Sequence, residues 1–223
     1  MQADPNLDII VNELRHKQGC HTAILYGSRA RGEETSSSDY DILGIRDLGD
    51  VVRDARLWNG VYLDIFIYPE SKLQSPDETM LHMRGGKILF QKGGLGTHFL
   101  SRLDEIYLAG PKKLAHDEVQ ARKVWARKML DRAKAGDTEG NFRRAWLVTA
   151  LLEDHFAVCG EWYRGPKESL KWLQENRPAL YQHFEAALVP GASLAAIEAL
   201  VREIHKGVCV IGFAFIVWNS RLL

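Results

Sequence analysis

Strand patterning in this chain stops near Gly94, and nearly everything after it has helical spacing. Before that point, "HTAILY", "YDILGI", "VYLDIFIYP" and "GKILF" are short runs of apolar and β-branched residues bounded by glycine, proline, serine or aspartate. After it, "THFLSRLDEIYLAG", "VQARKVWARKMLDRAKAG", "NFRRAWLVTALLEDHFAVCG", "PKESLKWLQENRP" and "SLAAIEALVREIHKGVCVIGFAFIVW" repeat apolar residues every three or four positions and stop at glycine or proline. This segregation predicts an α/β (α+β) N-terminal domain, residues 1–110, with a mixed sheet. An all-α helical bundle, residues 111–223, would follow, with the boundary near Pro111.

Within the first half, Pro5 to Lys17 reads as a helix with Leu7, Ile10, Val11 and Leu14 on one side. Asn59-Gly60 reads as a tight turn, and Val61 to Tyr68 as a strand closed by Pro69. "DLGDVVRDARL" reads as a helix or helical turn. Lysine plus arginine equals aspartate plus glutamate at 29 each, so the chain lacks the basic excess usual in nucleic-acid coat proteins. Nucleic acid is therefore not expected as a partner. Three scattered cysteines, Cys20, Cys159 and Cys209, form neither a zinc pattern nor a disulfide framework, which makes a reduced, cytoplasmic protein the default. The N-terminus lacks the pattern of a signal peptide. The longest apolar run, Val208 to Trp218, is too short to span a bilayer and reads as a buried helix. No membrane association is expected, and the oligomeric state is not legible.

The stretch "LYGSRARGEETSSSDYDILGI" carries the chemistry. Residues two apart on a strand share a face, so Asp39 and Asp41 project together. Two carboxylates that close repel, and a divalent cation with oxygen ligands relieves the repulsion. Asp64 is the lone charge in "VYLDIFIY" and would join them if the two strands are neighbours. Upstream, Gly27 allows close backbone approach, a helix starting at Ser28 would offer free amides, and Arg29 and Arg31 add positive charge. A phosphate cradle beside a carboxylate cluster suits phosphoryl or nucleotidyl transfer. The competing reading makes these aspartates turn and cap residues. Neither a calcium-loop nor a Walker pattern is present.

The stretch resembles the polymerase β-like nucleotidyltransferase superfamily. An apolar strand leads into Gly27-Ser28 within Gly-Ser-x-Ala-Arg-Gly. Ser38-Asp39-x-Asp41 and the later strand acid Asp64 complete the pattern. The two-domain layout is similar to aminoglycoside (kanamycin-type) nucleotidyltransferases. The resemblance covers roughly residues 5–95. It implies that Asp39, Asp41 and Asp64 hold two Mg2+ ions, that Asp64 helps deprotonate an acceptor hydroxyl, and that Gly27, Ser28, Arg31 and Ser38 hold the phosphates of a nucleoside triphosphate, ATP by preference. It further implies a C-terminal domain that selects the acceptor, a small hydroxylated molecule or a partner protein. The alternative is a non-catalytic nucleotide-binding regulatory or antitoxin-type module.

On the helix "NFRRAWLVTALLEDHFAVCG", helical plotting sets Glu153 among Phe142, Trp146, Thr149 and Phe156. Such a setting would raise its pKa and suit a general base lining the acceptor pocket. The plainer reading is a partly exposed face or a salt bridge. Lys167, Lys171 and the basic stretch Arg122–Lys134 read as solvated, and the eight histidines show no ligand spacing.

Overall fold

The computed structural model describes residues 4–206 and divides into two compact units, Met1–Ala109 and Gly110–Leu223. The run Val208–Trp218 lies outside the described residues.

The first unit is built on a five-stranded mixed sheet of order β3-β4-β2-β1-β5. Its strands are β1 (Thr22–Tyr26), β2 (Tyr40–Arg46), β3 (Val52–Trp58), β4 (Val61–Pro69) and β5 (Lys87–Phe90). β1 lies antiparallel to both β2 and β5, while β2 and β4 run parallel with Asp41 opposite Asp64. The segment expected to be helical, "DLGDVVRDARL", instead contributes β3. The reason lies next to it: Asn59 (φ 50°) and Gly60 (φ 79°) make a two-residue turn, and such a turn pairs its two flanks directly. Tertiary pairing with β4 overrides the helical reading of that flank.

Helix α1 (Pro5–His16), capped by Asp4, buries Ile10 and Leu14 against one face of the sheet, with Leu25, Ile42 and Ile65. The other face carries Ile24, Tyr26, Leu43 and Ile45. It is covered by Leu73 and by Met80 and Met83 of two 3-10 turns (Glu70–Leu73 and Glu78–Met83). Phe99 and Leu103 of α3 (Leu95–Ala109) complete the cover. Between β1 and the long loop sits the five-residue helix α2 (Gly27–Arg31).

The second unit contains α4 (His116–Ala133), α5 (Thr138–Cys159), α6 (Gly165–Asn176), α7 (Pro178–Leu188) and α8 (Leu194–Lys206). Its core joins Met129 of α4, Leu147, Leu151 and Phe156 of α5, Leu173 of α6, Phe184 of α7, and Ile197 and Leu200 of α8. An α/β unit with a mixed sheet, followed by helices alone, is the fold class the patterning predicts. Among the described residues no helix is long and apolar enough to cross a membrane.

Candidate active site

The acidic residues gather where β1 ends and β2 begins. Asp41 is the second residue of β2, and its cross-strand partners are Tyr26 on one side and Asp64 on the other. Directly opposed residues share a face, so Tyr26, Asp41 and Asp64 all lie on the face that α3 and the 3-10 turns cover further along. Asp39 precedes the strand and is exposed. Burial, then the neighbouring Asp39 and Asp64 charges, raise the Asp41 carboxyl above its ordinary 3.8, while His82 and Arg31 oppose the rise. The Tyr26 hydroxyl is likewise pushed up, chiefly by burial and then by Asp41 and Asp64. Asp41 therefore responds to both other aspartates, although the three sets of oxygens do not all close to within 4.8 Å.

Gly27 explains how Asp41 fits. Its φ is +70°, and a Cβ built there would lie 2.1 Å from Asp41 Oδ2. The close approach that glycine permits is thus to the site's own carboxylate. Helix α2 starts at Gly27 rather than Ser28, and at five residues it adds little macrodipole. Charge and hydroxyls would have to hold an anion here. Arg31 bonds Glu33 through Nε at 2.9 Å, and its charge also reaches Asp41. The Ser38 hydroxyl accepts from the Thr35 amide at 2.9 Å, which closes the loop and aims its Oγ inward on that turn. Ser28 is partly buried beside Gly27.

Arg29, read from the sequence as a cradle charge, is engaged with the loop instead, and Arg53 and His82 were not legible as site residues. Arg29 donates from Nε and Nη2 to the Ser38 carbonyl at 3.1 and 2.7 Å and from Nε to the Asp39 carbonyl at 3.0 Å. Its guanidinium also stacks 3.9 Å from the centre of the Tyr40 ring, so it pins the loop that delivers Asp39. Arg53 of β3 clamps Asp64 with a two-pronged pair, Nε to Oδ1 at 2.8 Å and Nη2 to Oδ2 at 2.9 Å. His82 meets Tyr26 edge to face, with ring centres 5.5 Å apart, and its Nδ1 lies 2.8 Å from the Thr79 carbonyl. Arg53 was hidden because its segment read as helical, and His82 because no second ligand follows it at a regular spacing.

Glu153 is exposed on α5, and so are Phe142 and Trp146, at 63% and 44% of their full surfaces. Phe156 is buried, in ring contact with Trp172 and Tyr163. The apolar enclosure expected of Glu153 is therefore not present: its face of α5 is the outer one. The buried carboxylate of this helix is the next residue, Asp154, which is ion-paired with Arg122 of α4. Arg122 is in consequence a structural partner rather than a solvated charge.

Among the described residues, the metal-type cluster whose ligand atoms lie within 4.8 Å is His21, Asp47 and Glu70, at the opposite ends of β1, β2 and β4. Lys92 Nζ sits 2.7 Å from Asp47 Oδ1 and already supplies a cation there.

No family model and no curated protein matches the chain. Among solved structures it is similar to a nucleotidyltransferase-like protein from Exiguobacterium sibiricum 255-15, with 13% identity over 90% of this chain and 72% of that one and a TM-score of 0.40. At that score the likeness is no argument for function.

Proposed function

We propose that the chain is a nucleotidyltransferase that moves a nucleoside monophosphate from a triphosphate, ATP by preference, to an acceptor hydroxyl. The observation that carries this reading is the register of Asp41 opposite Asp64 on adjacent parallel strands, beside a glycine whose missing side chain makes room for Asp41. The donor set fits a hard divalent cation such as Mg2+: three carboxylates and no nitrogen or sulfur ligand among them, one held above its ordinary range by burial and then by the others' charge. Asp39, Asp41 and Asp64 would hold two such ions, which when bound neutralise charge on the phosphoryl oxygens.

The remaining work falls to the chain itself. Gly27 and Ser28 bring backbone and hydroxyl to the phosphates, Arg31 and Ser38 flank them, and Arg29 fixes the loop between. The acceptor oxygen bonds the α-phosphorus, the bond to the bridging oxygen breaks, and pyrophosphate leaves with that electron pair. The hydroxyl proton passes to a carboxylate of the cluster or to solvent. The acceptor is a small hydroxylated molecule or a protein side chain. Incubation with labelled triphosphates, Mg2+ and a panel of acceptors tests the reading. Pyrophosphate release that needs one acceptor and disappears in Asp41→Asn supports it. Unchanged melting with millimolar Mg-ATP, together with no release on any acceptor, overturns it.

A further inference from the structure

We propose that Arg53 is an internal stand-in for a cation on Asp64, and that Asp64 becomes a metal ligand only when Arg53 is drawn off it. The proposal rests on the reading of the acidic cluster as a cation and triphosphate site. Both Asp64 oxygens are engaged by the Arg53 fork, at 2.8 and 2.9 Å. Arg53 is paired across the strands with Phe66, two residues from Asp64 on the same face, and its guanidinium lies 5.0 Å from the Phe66 ring centre. Both Asp64 oxygens are thereby committed to β3, the edge strand, while Asp64 still lies directly opposite Asp41. A guanidinium fork suits a carboxylate and a phosphate equally well, because both present two coplanar oxygens. Arg53 is more than half exposed, at 58%, so it has room to leave.

The exchange follows from these facts. Without nucleotide, Arg53 neutralises Asp64 and no second ion is needed. When a triphosphate arrives, Arg53 moves to its oxygens, and Asp64 is released to a cation. Nucleotide and the Asp64-bound ion then favour each other through one side chain, a reciprocal coupling. Arg53 is a positioning residue in this scheme, since it acts through Asp64.

The test uses Mn2+ alone and pyrophosphate alone with the full chain. Mn2+ affinity is read by the spin signal of the free ion. Arg53→Gln should bind Mn2+ about tenfold tighter or more than the parent, the worth of one charge-assisted fork. Arg53→Lys keeps the charge and loses the fork, so it should also bind tighter than the parent. In metal-free buffer, pyrophosphate should bind Asp64→Asn more tightly than Asp41→Asn. The two variants lose the same charge, but only the first frees Arg53. Adding Arg53→Gln should erase that difference. Equal Mn2+ affinity for Arg53→Lys and the parent overturns the stand-in role, as does equal pyrophosphate affinity for the two asparagine variants. If Mn2+ binding is indifferent to Asp41→Asn in every background, the cation-site reading itself has failed, and the stand-in role falls with it.

Discussion

Replacing Gly27 with alanine separates backbone strain from site geometry. Alanine at φ +70° costs about 1–2 kcal/mol. Its Cβ would also meet Asp41 Oδ2 at 2.1 Å, against 3.4 Å where ordinary contact begins, a shortfall of about 1.3 Å. The carboxylate must move by that order, because β2 is held in register on both sides. A displacement of about 1 Å at a reacting centre costs on the order of a hundredfold in rate. Gly32 supplies the control: its φ is +71°, and a Cβ there meets nothing within 4 Å. Gly32→Ala should therefore lose about 1–2 kcal/mol in urea denaturation and keep its pyrophosphate release. Gly27→Ala should lose at least as much stability, and its release and Mg-ATP affinity should collapse. If Gly27→Ala turned over at the Gly32→Ala rate, the close approach would not be what positions Asp41.

Asp41→Asn should abolish transfer, a loss of at least about a thousandfold. With chelator present it should melt at or above the parent temperature. The sign follows from the raised Asp41 value: the contribution is fully present below pH 3.8 and is lost as pH rises through the higher folded value, so the charge is unfavourable at neutral pH. Mg-ATP should raise the melting temperature, and Arg31→Ala should shrink the rise. His155 is held down to about 4, by burial and then by Arg177, so its stabilisation is present above pH 6.5 and is lost as pH falls toward 4. His155→Gln should flatten the loss of helical-unit stability between pH 7 and 5, followed by urea midpoints. Glu153→Gln should leave the urea midpoint unchanged because the side chain is exposed.

Local signals made the sheet-bearing half readable. Glycine, proline and Asn-Gly breaks delimit β1, β2, β4 and β5, and period-two spacing sets Asp41 and Asp64 each on one face of its strand, while Asp39 falls just before β2. What stayed hidden depends on partners distant in sequence. β3 exists because β4 pairs with it, and Arg53 reaches Asp64 only through that pairing. On α5, a single-helix plot could not show which face the other four helices cover, and an error of one residue exchanged exposed Glu153 for buried Asp154. Helix α7 was missed because its short apolar pattern sits between two prolines, one of which opens it.

The sheet order also bears on when the site comes into being. β3 and β4 adjoin through a two-residue turn and can zip from local contacts alone. β2 and β4 are parallel neighbours with all of β3 between them, so their pairing waits on closure of a longer loop. Arg53 and Asp64 can thus meet within the hairpin before Asp64 ever reaches Asp41. The acid pair is born at a seam, and opening that seam would switch the site off while leaving the hairpin whole. Hydrogen exchange reads this directly: amides of the β2–β4 ladder should lose protection together, and sooner than those joining β3 to β4.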